Sequence, residues 1–167
     1  MKTNLQFDFI VNKENNSISI KREFAAELPI VWGAYTKPEV LVQWWAPKPW
    51  KAKSKTMDFR EGGHWHYAMC GPNGEEHWGL MSYVKIVPLK QIMGLDVFCD
   101  AEARINKELP QSKWEMTFSS KGNTTLVEYL TLYGDLAQLE ATIQMGFKEG
   151  ITMAMEGLDE VLLHLKK

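Results

Sequence analysis

The chain has 167 residues, a formal net charge of −2 and a charged-residue content of 24%, values ordinary for a soluble globular protein. So small a net charge excludes the strong positive field expected of a protein that binds nucleic acid or anionic membranes. No apolar run approaches the roughly 20 residues of a membrane-spanning helix, and the polar N-terminus is not typical of a signal peptide.

Seven tryptophans and nine methionines are the unusual feature of the composition. A buried Trp needs a partner for its indole N–H, whereas the flexible Met side chain fills irregular spaces. The mixture fits a pocket for an apolar ligand and equally fits a large, loosely packed core. The two cysteines, Cys70 and Cys99, form no CxxC motif, which favours reduced thiols in a cytoplasmic protein.

The first predicted elements are a hairpin and short helices. Apolar and polar residues alternate at about 4–12 and again in SISIKREF at 17–24, which predicts two strands joined by a turn. Leu28-Pro29 then opens one or two short helices, because proline is tolerated in a first helical turn. These helices end near Ala46-Pro47.

The region from Lys53 to Tyr133 predicts successive antiparallel strands. Gly, Pro and Asn clusters punctuate it at short intervals, as expected of turns between strands. Its segment 100–112 has weak periodicity and is predicted to be a surface loop, with a lid as the alternative.

The C-terminal region predicts one long amphipathic helix at about 136–166. Small residues, Gly150 and Ala154, interrupt its apolar stripe near the middle. Facing a curved sheet, they favour empty space over close approach of another backbone. The stripe itself consists of Leu136, Leu139, Ile143, Phe147, Ile151, Leu158, Val161, Leu162 and Leu165.

This order of elements predicts a single α+β domain spanning residues 1–167. A curved antiparallel sheet would wrap around the long C-terminal helix, with the short helices after the first strands.

Several stretches carry a resemblance to a known family. They are REFAA (22–26), TKPEVLVQWWAPKPW (36–50), MDFREGGHWHYAMCGPNGEE (57–76) and MGFKEGITMAMEGLDEVL (145–162). With these motifs the chain resembles START-like (SRPBCC) helix-grip proteins, and within them the family named after the C-terminal domain of the Hsp90 ATPase activator. The resemblance implies a cavity between sheet and helix, and it does not specify a reaction.

The stretch GGHWHYAMCGPNGEEHWG at 62–79 predicts a hairpin. A two-residue turn at Asn73-Gly74 would place Cys70 opposite His77 and His66 opposite Met81. Histidines and Cys70 would then share one face of the hairpin, and its aromatic side chains the other.

Three histidines on one face, His64, His66 and His77, would have the geometry to bind zinc or copper. No carboxylate completes a recognisable motif. In proteins that the chain resembles, the first two of these positions commonly hold arginine or other polar residues, which fits a solvated convex face. No metal and no other cofactor is therefore expected.

The opposite, concave face is predicted to be the wall of a ligand cavity. Strand alternation assigns it side chains from the hairpin and from SKWEMTF at 112–118, the short helices supply a tryptophan at its mouth, and the C-terminal helix supplies its stripe. The predicted lining is Trp45, Trp65, Tyr67, Met69, Trp78, Trp114, Met116, Phe118, Phe147, Gly150, Ile151 and Ala154.

Binding of a small hydrophobic or amphipathic molecule is the favoured function, since it requires only an apolar cavity with a few polar anchors. A cyclase- or hydrolase-like enzyme acting in the same cavity is the alternative. Glu128 would be an interior carboxylate if Val127 and Tyr129 face outward. No nucleophile–base set is visible, so no catalytic residue is assigned.

A protein-interaction module is the third hypothesis. An exposed patch of Trp44, Trp45 and Trp50 would bind the partner. Because the Hsp90 activator is similar only in this one domain, an Hsp90-type partner is not expected. The sequence also leaves a homodimer through edge strands open.

Overall fold

The computed structural model describes residues 5–165. Its strands are β1 (Phe7–Asn12), β2 (Ser17–Phe24), β3 (Lys51–Asp58), β4 (His64–Cys70), β5 (Glu76–Val87), β6 (Gln91–Cys99), β7 (Ser112–Lys121) and β8 (Thr124–Tyr133). Its helices are α1 (Leu28–Thr36), α2 (Pro38–Leu41), α3 (Leu136–Gln144) and α4 (Phe147–Leu165). None of the helices in this part of the chain has both the length and the hydropathy needed to cross a bilayer.

The eight strands form one antiparallel sheet in the order β1-β2-β8-β7-β6-β5-β4-β3. The sheet curves around α4, and α1 and α2 connect β2 to β3. The predicted α+β helix-grip architecture is therefore confirmed, including the short helices after the first strands. The first strand begins at Phe7, and residue 4 of its predicted span of about 4–12 lies outside the described part of the chain.

The core lies between the concave face of the sheet and α4. Ile18 and Ile20 of β2 are buried on this face, and Leu158 and Leu162 of α4 are buried against it. Each fully buried side chain of this kind contributes about 1.5–3 kcal/mol. The inward-facing residues of the strands and the apolar stripe of α4 thus pack against each other and form one core layer.

The predicted helix at about 136–166 is broken in the structure. Asp135 caps α3 by accepting a hydrogen bond from the Gln138 backbone N–H, and Gly146, with φ +87°, follows the end of α3. A glycine in the left-handed region is a common helix terminator, since it lacks the Cβ that penalises this conformation. The two ends of the predicted stripe are not buried: Leu136 is 40% exposed and Leu165 is 41% exposed.

The predicted register of the β4–β5 hairpin is wrong by one residue. The backbone N–H of Gly71 donates to the Glu75 carbonyl (2.9 Å), so the loop contains three residues, 72–74, rather than two. Gly74 has φ +87°, the left-handed conformation that ends three-residue hairpin loops. Cys70 therefore pairs with Glu76 and His66 with Leu80.

This shift exchanges the faces of β5. Trp78 lies on the outer, convex face, where its ring is 4.9 Å from that of His66. His77 lies on the inner face, with its ring 5.1 Å from that of Trp50. The prediction that Trp78 faces the cavity and that His77 shares a face with His64 and His66 is therefore wrong.

The segment between β6 and β7 is a loop, as predicted, apart from an isolated bridge between Cys99 and Ile105. Its start packs on the outer face of the sheet, where the Asp100 carbonyl is hydrogen-bonded to His66 Nε2 at 2.9 Å and Lys55 Nζ donates to the Ala101 carbonyl. These contacts hold the start of the loop on the side of the sheet that faces away from α4.

Candidate ligand-binding site

A small cavity of about 20 Å³ lies between the sheet and α4. It has room for about one water molecule. Its walls come from β2, α1, the segment after α2, β7, β8 and α4. They are Ile20, Arg22, Tyr35, Trp44, Trp45, Met116, Val127, Tyr129, Ile151 and Met155.

Three residues of the predicted lining, Trp45, Met116 and Ile151, contact this cavity. Beside it lies an aromatic cluster: Trp65 stacks on Tyr67 with ring centroids 4.1 Å apart, and Trp45 meets both rings edge-on at 5.6 and 6.3 Å. The rings form one side of the interior in edge-to-face and stacked arrangements that aromatic pairs prefer.

The predicted residues of β7 also face inward. Trp114, Met116 and Phe118 are buried in the core with Ala154 of α4. Met69 of β4 and Phe147 of α4 are half-buried and pack against this core. Gly150 has open space beside it, since a Cβ there would meet only Pro47 Cγ, at 4.0 Å.

Two inner-face glycines make room for large rings, and the sequence pattern does not reveal them. A Cβ at Gly79 of β5 would lie 2.8 Å from the Tyr67 ring. At Gly94 of β6 it would overlap the Ser82 carbonyl oxygen and lie 2.7 Å from Trp114 Cζ2. The positions of Tyr67 and Trp114 therefore depend on the absence of side chains on the strands that they cover.

Asp96 of β6 is an acidic residue of the inner face that the predicted cavity lining does not include. It pairs with Met81 on β5 and Ser112 on β7, two positions from Gly94, and so lies on the same inner face. Burial in this apolar surrounding raises the pKa of the carboxyl to about 7, although the Val97 backbone N–H lowers it. Among residues 5–165, no ion pair involves this carboxyl.

Tyrosines occupy the interior around Asp96. Burial raises the pKa of Tyr67 well above its usual value, and the Asp96 charge raises it further. The pKa of Tyr129 is raised by the same two causes. These hydroxyls therefore stay protonated near neutral pH and remain able to donate and accept hydrogen bonds.

Two indole nitrogens in the site, those of Trp45 and Trp114, are buried without a hydrogen-bond partner among the described residues. Trp45 is near the Tyr67 oxygen and lowers the pKa of that tyrosine, so its N–H is partly satisfied. Trp114 is just 3% exposed. A buried donor without an acceptor costs about 1–3 kcal/mol.

Other predicted candidates point elsewhere. Val127 and Tyr129 face inward, so Glu128 lies outside and pairs with Lys21 at 3.6 Å. It is not the interior carboxylate considered from the sequence. Trp44 is buried and donates to the Ala34 carbonyl at 2.9 Å, so the three tryptophans do not form an exposed patch.

The histidines do not converge. His64 Nε2 is 2.8 Å from the Thr56 hydroxyl oxygen, and His66 contacts Asp100 as described, while His77 is on the opposite face of the sheet. The part of the chain that the structure describes contains no group of three or more His, Cys, Asp or Glu residues suited to a metal ion.

A larger recess, about 600 Å³, lies on the outer face of β4 and β5. His64, His66, Leu80, Ser82 and Val84 line it, with Ala103 of the β6–β7 loop. It is an open surface groove, with no unsatisfied buried side-chain atom among its lining residues. The interior is therefore the better candidate site despite its smaller free volume.

Fold and interior together define a protein of the START-like helix-grip class. The family model for "Activator of Hsp90 ATPase homolog 1-like protein" matches residues 25–163. The chain belongs to this family. The likeness is a family and fold assignment, and it names no reaction or ligand for this chain.

Solved structures share this fold. Protein Ms6760 from Mycobacterium smegmatis is similar with a TM-score of 0.87 and 28% identity, over 95% of this chain and 97% of that one. A protein from Arthrobacter aurescens gives a TM-score of 0.89 and 28% identity, over 94% and 91% of the two chains. Protein NE0264 from Nitrosomonas europaea gives 0.77 and 24% identity, over 90% and 96%. No curated protein matches the chain significantly.

Proposed function

We infer that this protein binds a small apolar or amphipathic molecule between the inner face of the sheet and α4. The observation that carries this inference is the buried, unpartnered indole N–H of Trp114 within a wall of aromatic and Met side chains. Ligand sites of small molecules combine an apolar lining with a few polar groups of this kind.

Binding requires the interior to expand. A cavity of roughly 150 Å³ accommodates benzene, whereas the free space here is about 20 Å³. Met116 and Met155 line that space, and their unbranched side chains adapt their shape readily. Trp45, Phe147 and Ile151 are half-buried and pack at the margin of the core, so their movement would admit a ligand without dismantling the sheet.

Binding, rather than catalysis, is the function that these residues support. Asp96 is an inner acid, but Cys99 pairs with Trp78 and therefore lies on the outer face. Two free cysteines fit action in the cytoplasm. The proposed partner is thus a small hydrophobic molecule of the cell interior.

A titration with the neutral fluorophore N-phenyl-1-naphthylamine tests this function. Ile151→Trp fills the cavity, and we expect it to weaken fluorophore binding at least about tenfold, since about 1.4 kcal/mol of lost contact suffices for that change. Met153→Trp is the matched control, because Met153 is on the same helix and exposed. Equal affinities for the two variants, or no binding by the unmodified protein, would contradict the proposal.

A further inference from the structure

We propose that the ligand carries a neutral carbonyl group, held by the carboxyl of Asp96 and the indole N–H of Trp114. This inference rests on the proposed function, because it assigns the polar end of the same site. It names the ligand as a carbonyl compound with an apolar body, such as a ketone, ester or amide.

Backbone pairing brings the two groups together. Gly94 pairs with Trp114 across β6 and β7, and a Cβ on Gly94 would lie 3.0 Å from Trp114 Cε2, the ring carbon bonded to Nε1. The indole edge that bears the N–H thus lies over Gly94. Asp96 is the next residue on that face of β6, so the register places its carboxyl one inner-face position along the strand from the glycine that the indole covers.

The N–H defines what the ligand must offer. Indole can only donate a hydrogen bond, and Trp114 is buried without an acceptor among the described residues. A ligand oxygen at this position would remove the cost of the unpaired donor. An alkyl group or an ammonium group supplies no acceptor, so neither satisfies Trp114.

Asp96 selects against an anionic acceptor. Its ionised carboxylate would repel a ligand carboxylate or phosphate, and no cation among the described residues is paired with it to offset that repulsion. Protonated Asp96, in contrast, donates its O–H to a carbonyl oxygen. A neutral carbonyl therefore accepts from both groups at once.

The titratable groups that face Asp96 give the expected pH dependence. They are Tyr67 of β4 and Tyr129 and Tyr133 of β8, and the Cys99 thiol, on the outer face of the same strand, is also within range of the Asp96 charge. The pKa of each is raised, chiefly by burial, so none of them ionises before Asp96 does. Since a carbonyl binds the protonated acid, affinity is highest below pH 7 and falls as the pH rises above it.

Four naphthalenes of nearly equal shape test the assignment by calorimetry at pH 6 and pH 8.5. They are 2-acetylnaphthalene (carbonyl), 2-ethylnaphthalene (no acceptor), 1-(2-naphthyl)ethylamine (cation) and 2-naphthoate (anion). We expect the acetyl compound to bind about tenfold more tightly than the ethyl compound at pH 6, the value of one or two net hydrogen bonds. This advantage should fall severalfold at pH 8.5.

Variants assign the effect to the two residues. Trp114→Phe keeps a ring and removes the N–H, so it should reduce the preference for the acetyl compound. Asp96→Asn retains a donor that does not titrate, so it should keep the preference and abolish its pH dependence. Glu115→Gln is the control, because Glu115 neighbours Trp114 in sequence but contacts Gln91 at 2.5 Å on the outer face. Circular dichroism verifies that each variant is folded.

The outcomes separate the two proposals. Tight binding of the amine that strengthens with pH would overturn the carbonyl assignment, as would equal affinities of the acetyl and ethyl compounds, and both results would leave the proposed function standing. Binding of none of the four probes would overturn the proposed function itself.

Discussion

The guanidinium of Arg22 on β2 is ion-paired with the carboxylate of Asp159 on α4. The Arg22 side chain is 11% exposed and that of Asp159 is 39% exposed, so the pair joins sheet and helix at the edge of the interior. Arg22 also donates to the Glu23 carbonyl at 2.6 Å and lies over the Phe24 ring at 4.8 Å. Burial, together with the nearby Glu156 charge, raises the pKa of Asp159 more than Arg22 lowers it, so the attraction within the pair does not fully offset the cost of holding this carboxylate charged.

Removing one partner should therefore be more harmful than removing both. Asp159→Ala leaves Arg22 buried and unpaired, and we expect the free energy of unfolding in urea to fall by about 2–3 kcal/mol, below the value for fully buried pairs because Asp159 is partly exposed. The double variant Arg22→Met with Asp159→Leu should recover most of this loss, because neither charge then needs solvation.

The exposed pair of Lys48 and Glu160, 3.0 Å apart, provides the control on the same helix. Glu160→Ala should change stability by less than about 1 kcal/mol. An equal loss of stability for Glu160→Ala and Asp159→Ala would show that leaving Arg22 without its carboxylate partner carries no burial penalty.

Asp96 should make stability depend on pH. Its pKa is raised to about 7 from an ordinary value of 3.8, so the folded state binds a proton that the unfolded state has already released. The stabilisation from this proton is complete below pH 4 and is lost as the pH rises towards 7. Asparagine does not titrate, so Asp96→Asn does not lose this stabilisation. Its stability relative to the unmodified protein should therefore improve by roughly 2–4 kcal/mol between pH 4 and pH 8.

Urea unfolding at several pH values measures this difference. Glu115→Gln again serves as control, and its stability relative to the unmodified protein should not rise in this way between pH 4 and pH 8. A pH-independent difference for Asp96→Asn would mean that the carboxyl is solvated and ionises normally.

Gly94 should be intolerant of any side chain. A Cβ there would overlap the backbone carbonyl of Ser82 and press on Trp114, and backbone cannot rotate away as a side chain can. We expect Gly94→Ala to cost more than about 3 kcal/mol, at the upper end for overpacking. Gly157 of α4 provides the contrast, since its added Cβ would make an ordinary contact with Trp44 at 3.9 Å. Gly157→Ala should stabilise by about 0.5–1 kcal/mol, and thermal unfolding compares the two.

Sequence periodicity predicts those elements in which one face is apolar and the other polar. In β7, Trp114, Met116 and Phe118 alternate with polar residues, and the structure places all three inside. In β6, QIMGLDVFC is apolar on both faces, and Leu95 is 41% exposed. Alternation therefore cannot assign a face to Asp96, and the inward position of its carboxyl is not predicted.

Local backbone conformations account for the other two differences between the sequence prediction and the structure, the helix break and the hairpin register. The helix break depends on the positive φ of Gly146, and the hairpin register on that of Gly74. A glycine permits such a conformation without requiring it, so PNG at 72–74 is compatible with both a two-residue and a three-residue loop. The family resemblance transfers the fold, which many sequences share, and leaves the loop length open.

The β4–β5 hairpin allows its register to be tested directly. Deleting Pro72 leaves Asn73-Gly74 as a two-residue loop between Gly71 and Glu75, which pair across the loop in the structure. The register of β4 and β5 is therefore kept, with Trp78 outside and His77 inside. Because Asn-Gly is a favoured two-residue turn, we expect the deletion to cost less than about 1 kcal/mol. Gly74→Ala strains one residue at positive φ, so it should cost about 1–2 kcal/mol. If Pro72 lay opposite Glu75, its deletion would shift β5 by one position and turn Trp78 inward. Urea unfolding of the two variants gives the comparison, and a deletion more harmful than Gly74→Ala would contradict the three-residue loop.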